Sequence, residues 1–187
     1  TNIVAGDTNW QIDAFVYDAQ TASTVRVTNG NAASYPLAFS PDGKYVIVTS
    51  TASNLTSWDT NGVQDVFLYN RASGTVMNIT ASGNGASRGY SISADNKYVI
   101  GMTDATNLAS GTDTNGVRDV FRYNTQTQKF TNITRTRTVA SANGYITENG
   151  KQIVYNSNNQ IFVYNDIEEQ CDDGNGLDDD ACSNSCE

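Results

Sequence analysis

Asp59-Thr60-Asn61-Gly62-Val63-Gln64-Asp65-Val66-Phe67-Leu68-Tyr69-Asn70 decides the fold, because the chain carries it again. Asp113-Thr114-Asn115-Gly116-Val117-Arg118-Asp119-Val120-Phe121-Arg122-Tyr123-Asn124 repeats it downstream. Upstream stands Asp7-Thr8-Asn9-Trp10-Gln11-Ile12-Asp13-Ala14-Phe15-Val16-Tyr17-Asp18, and Gln160-Ile161-Phe162-Val163-Tyr164-Asn165 is a shortened fourth copy. The corresponding phenylalanines Phe15, Phe67, Phe121 and Phe162 follow one another at 52, 54 and 41 residues. A four-stranded propeller blade takes roughly 40–50 residues, so each copy marks one blade.

Each unit divides as a blade should. Phe67 and Tyr69 share one face of a strand at period two, and Val76, Asn78 and Thr80 alternate with Met77 and Ile79 on the next. Tyr90 and Ile92 mark a third strand and Lys97-Tyr98-Val99-Ile100 a fourth. Pro41-Asp42-Gly43, Ala94-Asp95-Asn96 and Glu148-Asn149-Gly150 join these last two as tight turns, since Asp-Gly and Asn-Gly tolerate positive φ. With two prolines and no amphipathic helical pattern, the expected fold class is all-β. It reads as an incomplete or fragmentary β-propeller of four-stranded antiparallel blades over residues 1–165, with a short acidic, cysteine-bearing tail over 166–187. Units start near 7, 59 and 113, with a partial one near 158. Three units and a remnant are too few for a ring of four to eight blades. The chain also opens mid-repeat, Thr1–Asp7 matching Thr106–Asp113 with one residue fewer. The open edges therefore call for blades upstream or for strands from elsewhere.

The net charge of −9 is concentrated at one end. Residues 1–165 carry all 11 bases and eleven acids, so that part is neutral; residues 166–187 carry the other nine acids and no base. A neutral body offers no footprint for nucleic acid, and the tail repels phosphate. No apolar run approaches the ~20 residues that span a bilayer, so no membrane insertion is expected, and Thr1 opens no signal peptide. Histidine is absent, which removes the usual general base and the commonest transition-metal ligand. All three cysteines lie in the tail, leaving the body no thiol nucleophile. Its one glutamate, Glu148, sits in a hairpin turn, and its aspartates fall mostly in the repeated loops. Paired carboxylates across a cleft are not in prospect, so the chain is expected not to be an enzyme by itself.

The turn Ser40-Pro41-Asp42-Gly43-Lys44-Tyr45-Val46, taken with the Asp-Val-Phe-x-Tyr-Asn strand, resembles the Tol-type, WD-like propeller repeats of bacterial secreted and periplasmic proteins. The resemblance covers about residues 1–165 and implies a fold, not a function, since such blades serve binding modules, peptidase gates and structural proteins alike. In the tail, Glu169-Gln170-Cys171-Asp172-Asp173-Gly174-Asn175 and Asp180-Ala181-Cys182-Ser183-Asn184-Ser185-Cys186 are similar to the cysteine-rich repeat of myxobacterial and other bacterial surface proteins. Ala181 departs from its usual glycine, and the leading cysteine of that repeat is missing. The resemblance implies disulfides among Cys171, Cys182 and Cys186 and an extracellular setting, as the clustering of the three also does. An odd count leaves one of them without a partner in the chain. The plainer alternative is a stapled, solvated chain end.

Two sets of body residues are candidates for chemistry. The loop Asp-Thr-Asn-Gly-Val-x-Asp offers oxygen ligands for Ca²⁺, a hard cation: Asp59, Asn61 and Asp65 in one loop, Asp113, Asn115 and Asp119 in the next, and Asp7, Asn9 and Asp13 in a third where Trp10 replaces glycine. It is not an EF-hand, and the competing reading has the same side chains capping turn amides. Asn54, Asn78 and Asn132 each head an Asn-x-Thr sequon, and a hydroxyl-rich surface suits glycosylation. The expectation that follows is a secreted or cell-surface structural module whose partners are copies of itself, joined by strand complementation into a linear polymer. Its rivals are a propeller that binds a glycan or protein through its loops, and the gating propeller of a larger peptidase.

Overall fold

The computed structural model describes residues 3–111 and 113–165. The acidic tail with Cys171, Cys182 and Cys186 lies outside the described residues, as do the readings that rest on it. Among the described residues there are thirteen strands and no helix. They form four antiparallel sheets, each a meander in chain order. The first holds β1 (Phe15–Asp18) and β2 (Ser23–Arg26). The second runs β3 (Ser34–Phe39), β4 (Tyr45–Ser50), β5 (Asp65–Asn70) and β6 (Thr75–Asn78). The third runs β7 (Ser87–Ile92), β8 (Tyr98–Thr103), β9 (Asp119–Asn124) and β10 (Lys129–Asn132). The fourth stops at three: β11 (Ser141–Ile146), β12 (Gln152–Ser157) and β13 (Gln160–Asn165).

Local sequence explains the strands. β4 and β5 are rich in β-branched and aromatic residues and are buried on both faces, as central strands between stacked sheets must be. The hairpin turns place Gly43, Asn96 and Gly150 at positive φ (69°, 60° and 75°), as their Asp-Gly, Asp-Asn and Asn-Gly pairs require. In each turn the residue at the head, Ser40, Ser93 or Thr147, gives its hydroxyl to the carboxylate or amide oxygen two residues on.

Every blade-like sheet lays one face on the next. Val46, Val48, Phe67 and Tyr69 pack against Ala14, Val16 and Val27 of the first sheet. Ile47, Val66 and Leu68, on the opposite face, pack against Ile92, Val99, Phe121 and Tyr123. Ile100 and Val120 then meet Ile153 and Tyr155. What sets the spacing is a glycine in the leading strand. A Cβ on Gly89 would stand 2.4 Å from Ile47 Cγ2, and one on Gly144 would stand 2.6 Å from Ile100 Cγ2. Each leading strand also carries a register shift at that place, between Pro36 and Ala38, Gly89 and Ser91, or Ala142 and Tyr145.

One expectation about the blade needs correcting. The strands carrying Tyr90 and Ile92 and carrying Tyr98–Ile100 do not complete the sheet of Phe67; they open the next one. The sequence repeat and the structural blade are offset by half a unit. The tight turns do join β3 to β4, β7 to β8 and β11 to β12, but neither the β4–β5 connection nor the β6–β7 connection carries a tight-turn signature. Which of the two stays within a sheet is settled by packing. Phe67, Phe121 and Phe162 take equivalent strands, each the third of its sheet, and Phe15 lies on β1, which pairs with β2 as β5 pairs with β6.

Candidate functional site

The Asp59 and Asp113 loops join the second and third strands of the two complete sheets, and the Asp7 loop leads into β1, the equivalent strand, so the three aspartate motifs sit on one rim. Within each motif the asparagine builds the turn. Asn61 Oδ1 accepts the Val63 N–H at 3.0 Å, Asn115 Oδ1 accepts Val117 N–H at 2.9 Å, and Asn9 Oδ1 accepts Gln11 N–H at 3.1 Å. These oxygens cap turn amides, the role that the competing reading of the loop assigns to them. Gly62 and Gly116 hold positive φ (70° and 68°) at the following position, and Trp10 holds the same conformation at 59°.

The second aspartate of each motif anchors the blade. Asp65 is fully buried at the head of β5. Its Oδ1 accepts Thr80 Oγ1–H at 2.6 Å and Asn61 Nδ2–H at 3.3 Å, and its Oδ2 accepts Asn78 Nδ2–H at 3.1 Å. Thr80 Oγ1 in turn accepts the Val66 N–H at 2.9 Å. Asp119 repeats the cluster with Thr134 (2.6 Å), Asn132 (2.8 Å) and Asn115 (3.1 Å), and Thr134 accepts the Val120 N–H. A buried carboxylate needs such donors to offset its desolvation. In the first repeat Asp13 bonds Thr28 Oγ1 at 3.1 Å, but the Asn78 position is held by Arg26, whose Nη2 reaches Asp13 Oδ2 at 2.6 Å and Asp7 Oδ1 at 3.3 Å. The Asp7–Asp13 member of the expected Ca²⁺ set is therefore an ion pair with an arginine. The signal lay in the sequence: the residue thirteen places after the aspartate is asparagine in two repeats and arginine in the first.

The first aspartate of each motif is less well served. Asp59 is 7% exposed, and neither carboxylate oxygen has a hydrogen-bond partner. The Asn61 N–H and the Asn78 amide lean toward it without completing a bond. Burial, and then the charge of Asp65 facing it, push the Asp59 carboxyl above its ordinary range. Asp113 accepts the Asn115 N–H at 3.2 Å, and its carboxyl is raised too, by burial and by Asp119 beside it. Asp113 and Asn132 also line a small cavity of about 10 Å³, which has room for one water-sized occupant.

The sequons fall on working residues. Asn78 and Asn132 spend the Nδ2 that a glycan would occupy on Asp65 and Asp119, and the hydroxyls of Thr80 and Thr134 are buried. Asn54 is exposed, and its Oδ1 accepts the Asn31 N–H at 2.7 Å. The same rim presents two indoles, of which only Trp10 was named from sequence, and only as the residue in place of glycine. Trp10 and Trp58 are 97% and 82% exposed. Trp58 borders a groove of about 390 Å³ lined by Leu55, Thr56, Val76, Met77 and Asn78.

No protein-family model matches the sequence, and no curated protein matches it. Among solved structures, the arrangement is similar to TolB from Acinetobacter baumannii, with a TM-score of 0.52 and 20% identity over 81% of this chain and 34% of that one. A putative TolB from Agrobacterium tumefaciens gives 0.51 and 17% over 72% and 41%, and the tricorn protease gives 0.54 and 15% over 78% and 13%. The fold is that of a β-propeller. The two complete sheets are ordinary four-stranded blades, the Tol-type likeness extends through the body, and the chain spans about a third of the length of the first TolB. At such identities the likeness speaks for the fold alone.

Proposed function

We propose that this chain is a non-catalytic, extracellular assembly module whose propeller stack is continued by a second copy of itself. The observation that carries this reading is the exposed apolar face that β12 and β13 present among the described residues. Ile47, Val66 and Leu68 face the next sheet and are 0%, 0% and 3% exposed. Their counterparts in the last sheet, Val154, Ile161 and Val163, are 37%, 79% and 54% exposed. Among the described residues β13 also ends its sheet, whereas the equivalent β5 and β9 pair with β6 and β10. At the other end Phe39 is 53% exposed while its counterpart Ile92 is buried, and a groove of about 160 Å³ lies over Pro36, Leu37 and Val46. Unpaired edges and apolar faces of this kind are pairing surfaces. The chain's own blades are what cover these positions elsewhere in the fold, which favours a copy as the occupant. A contact between unlike ends closes into a ring if the rotation between copies allows it and propagates as a filament if it does not, and the filament is the form proposed here. A neutral body adds no long-range repulsion.

Light scattering and electron microscopy of the full-length chain test this. Concentration-dependent elongated particles are expected, and the Ile161→Asp, Val163→Asp double variant should be monomeric with an unchanged melting temperature. A wild-type chain that stays monomeric at every accessible concentration would overturn the reading and favour completion of the ring by other blades. A second reading rests on the exposed Trp10 and Trp58 and the groove beside Trp58: indole faces stack on sugar rings, so the rim suits a glycan. A shift in tryptophan fluorescence on adding oligosaccharides, lost in Trp58→Ala, checks it.

A further inference from the structure

One fold position occurs three times in this chain, and in the first an arginine bridges its two aspartates, whereas in the third Arg135 lines the cavity beside Asp113 with no ion pair to it shorter than 4 Å. In the first repeat the two aspartates, Asp7 and Asp13, are bridged by the Arg26 guanidinium. In the second and third repeats the same two positions are Asp59 with Asp65 and Asp113 with Asp119, and the bridging position is a neutral asparagine, Asn78 or Asn132. The asparagine reproduces half of what the arginine does. Its Nδ2 meets Oδ2 of the inner aspartate, as Arg26 Nη2 meets Asp13 Oδ2. It has no second arm for the outer aspartate. Asp59 is left more than nine-tenths buried, both oxygens unpartnered, turned toward a second buried carboxylate. Two like charges in a water-poor site, one without a single donor, are a strongly unfavourable arrangement unless a positive charge lies between them.

We propose that the Asp59–Asp65 and Asp113–Asp119 pairs each hold a divalent cation of the Ca²⁺ type, in the place that Arg26 fills between Asp7 and Asp13. Asp59 supplies both of its free oxygens as direct ligands, and Asp113 supplies the oxygen that the Asn115 N–H leaves open. Asp65 and Asp119 are already bonded to their asparagine and threonine donors and supply mainly charge; Asp65 Oδ2, which accepts a single hydrogen bond, keeps a lone pair for the ion. Ca²⁺ suits such a site because it accepts irregular oxygen sets completed by water and backbone carbonyls. With two carboxylates per ion, the affinity belongs to the weak range, roughly 10⁻⁴–10⁻³ M, of extracellular modules.

The experiment is calorimetric and thermal titration of the full-length chain with CaCl₂, after dialysis against a chelator. Two ions bound in the body per chain, with a melting temperature that rises with Ca²⁺ and falls with chelator, is the expected result. The acidic tail is a separate source of ions, so the stoichiometry is read against variants of the body. The Asn78→Arg, Asn132→Arg double variant copies the first repeat into the other two. It should lose both body ions and melt no lower without Ca²⁺ than the wild type does. Should the arginines disturb folding, Asp59→Asn with Asp113→Asn is the second test, and it should lose the same two ions. Ca²⁺ binding and melting that are identical in the wild type and in whichever variant folds would overturn the proposal. So would stabilisation by mild acid in place of Ca²⁺, which would mean that a shared proton joins each pair.

Discussion

Replacing Thr80 by valine exchanges one hydroxyl for a methyl and leaves the shape of a fully buried, β-branched side chain unchanged. No cavity forms, so the whole effect is polar. The Thr80 hydroxyl donates to Asp65 at 2.6 Å and accepts the Val66 N–H at 2.9 Å. Orphaning the buried Val66 amide costs about 1–3 kcal/mol, and losing a hydrogen bond to a charged acceptor costs about 1.5–3 kcal/mol. Asp65 retains Asn61 and Asn78, which holds the total toward the lower end, about 3 kcal/mol. Thr28→Val in the first repeat removes the same pair of bonds, but Asp13 keeps the guanidinium of Arg26 and its threonine bond is longer, 3.1 Å. Its loss should be smaller, about 2 kcal/mol. Urea unfolding followed by circular dichroism measures both, with the exposed Thr75→Val as control and the slope against denaturant expected to stay constant. If Thr80→Val cost less than about 1 kcal/mol, or no more than the control, the aspartate-threonine clamp would not be what fastens the third strand to the rim.

Three further outcomes follow from the geometry. Gly89→Ala drives a methyl to 2.4 Å of Ile47 Cγ2 in the adjoining blade, and equilibrium unfolding should register a loss of about 1–3 kcal/mol, while the exposed Gly74→Ala does not relay any strain between blades. Asp42 is held at about 2 by the Ser40 hydroxyl, the Lys44 N–H and Asn96, against 3.8 when free. Because its folded value is depressed, its contribution is complete above 3.8 and disappears as the pH falls through 2; Asp42→Asn should flatten the acid limb of the stability profile in that window. Trp10 holds φ at 59° where its two counterparts are glycine, so Trp10→Gly should raise stability by up to about 1 kcal/mol in the same assay.

The sequence alone settled what is local. The recurrence of Asp-Thr-Asn before a Phe-x-Tyr strand fixed the repeat, period-two alternation fixed the strands, and Asp-Gly or Asn-Gly pairs fixed the hairpins, because each depends on residues a few positions apart. It also located the aspartates on which the candidate site is built. Which strands share a sheet was not legible, since the long β4–β5 connection and the β6–β7 connection look alike as loops and only the fit of side chains across sheets separates them. That Asn61 and Asn115 cap turn amides was one of two readings open from the sequence, and backbone geometry is needed to see the bonds themselves. The pairing register decided the rest: Phe15 opposite Arg26 and Phe67 opposite Asn78 bring a residue thirteen positions away onto each aspartate. Arg26 thereby neutralises Asp7 and Asp13, while Asp59 is left buried without a donor. Only the tertiary structure makes that distinction, because burial and the distance between charges, not residue type, set the energy of a carboxylate.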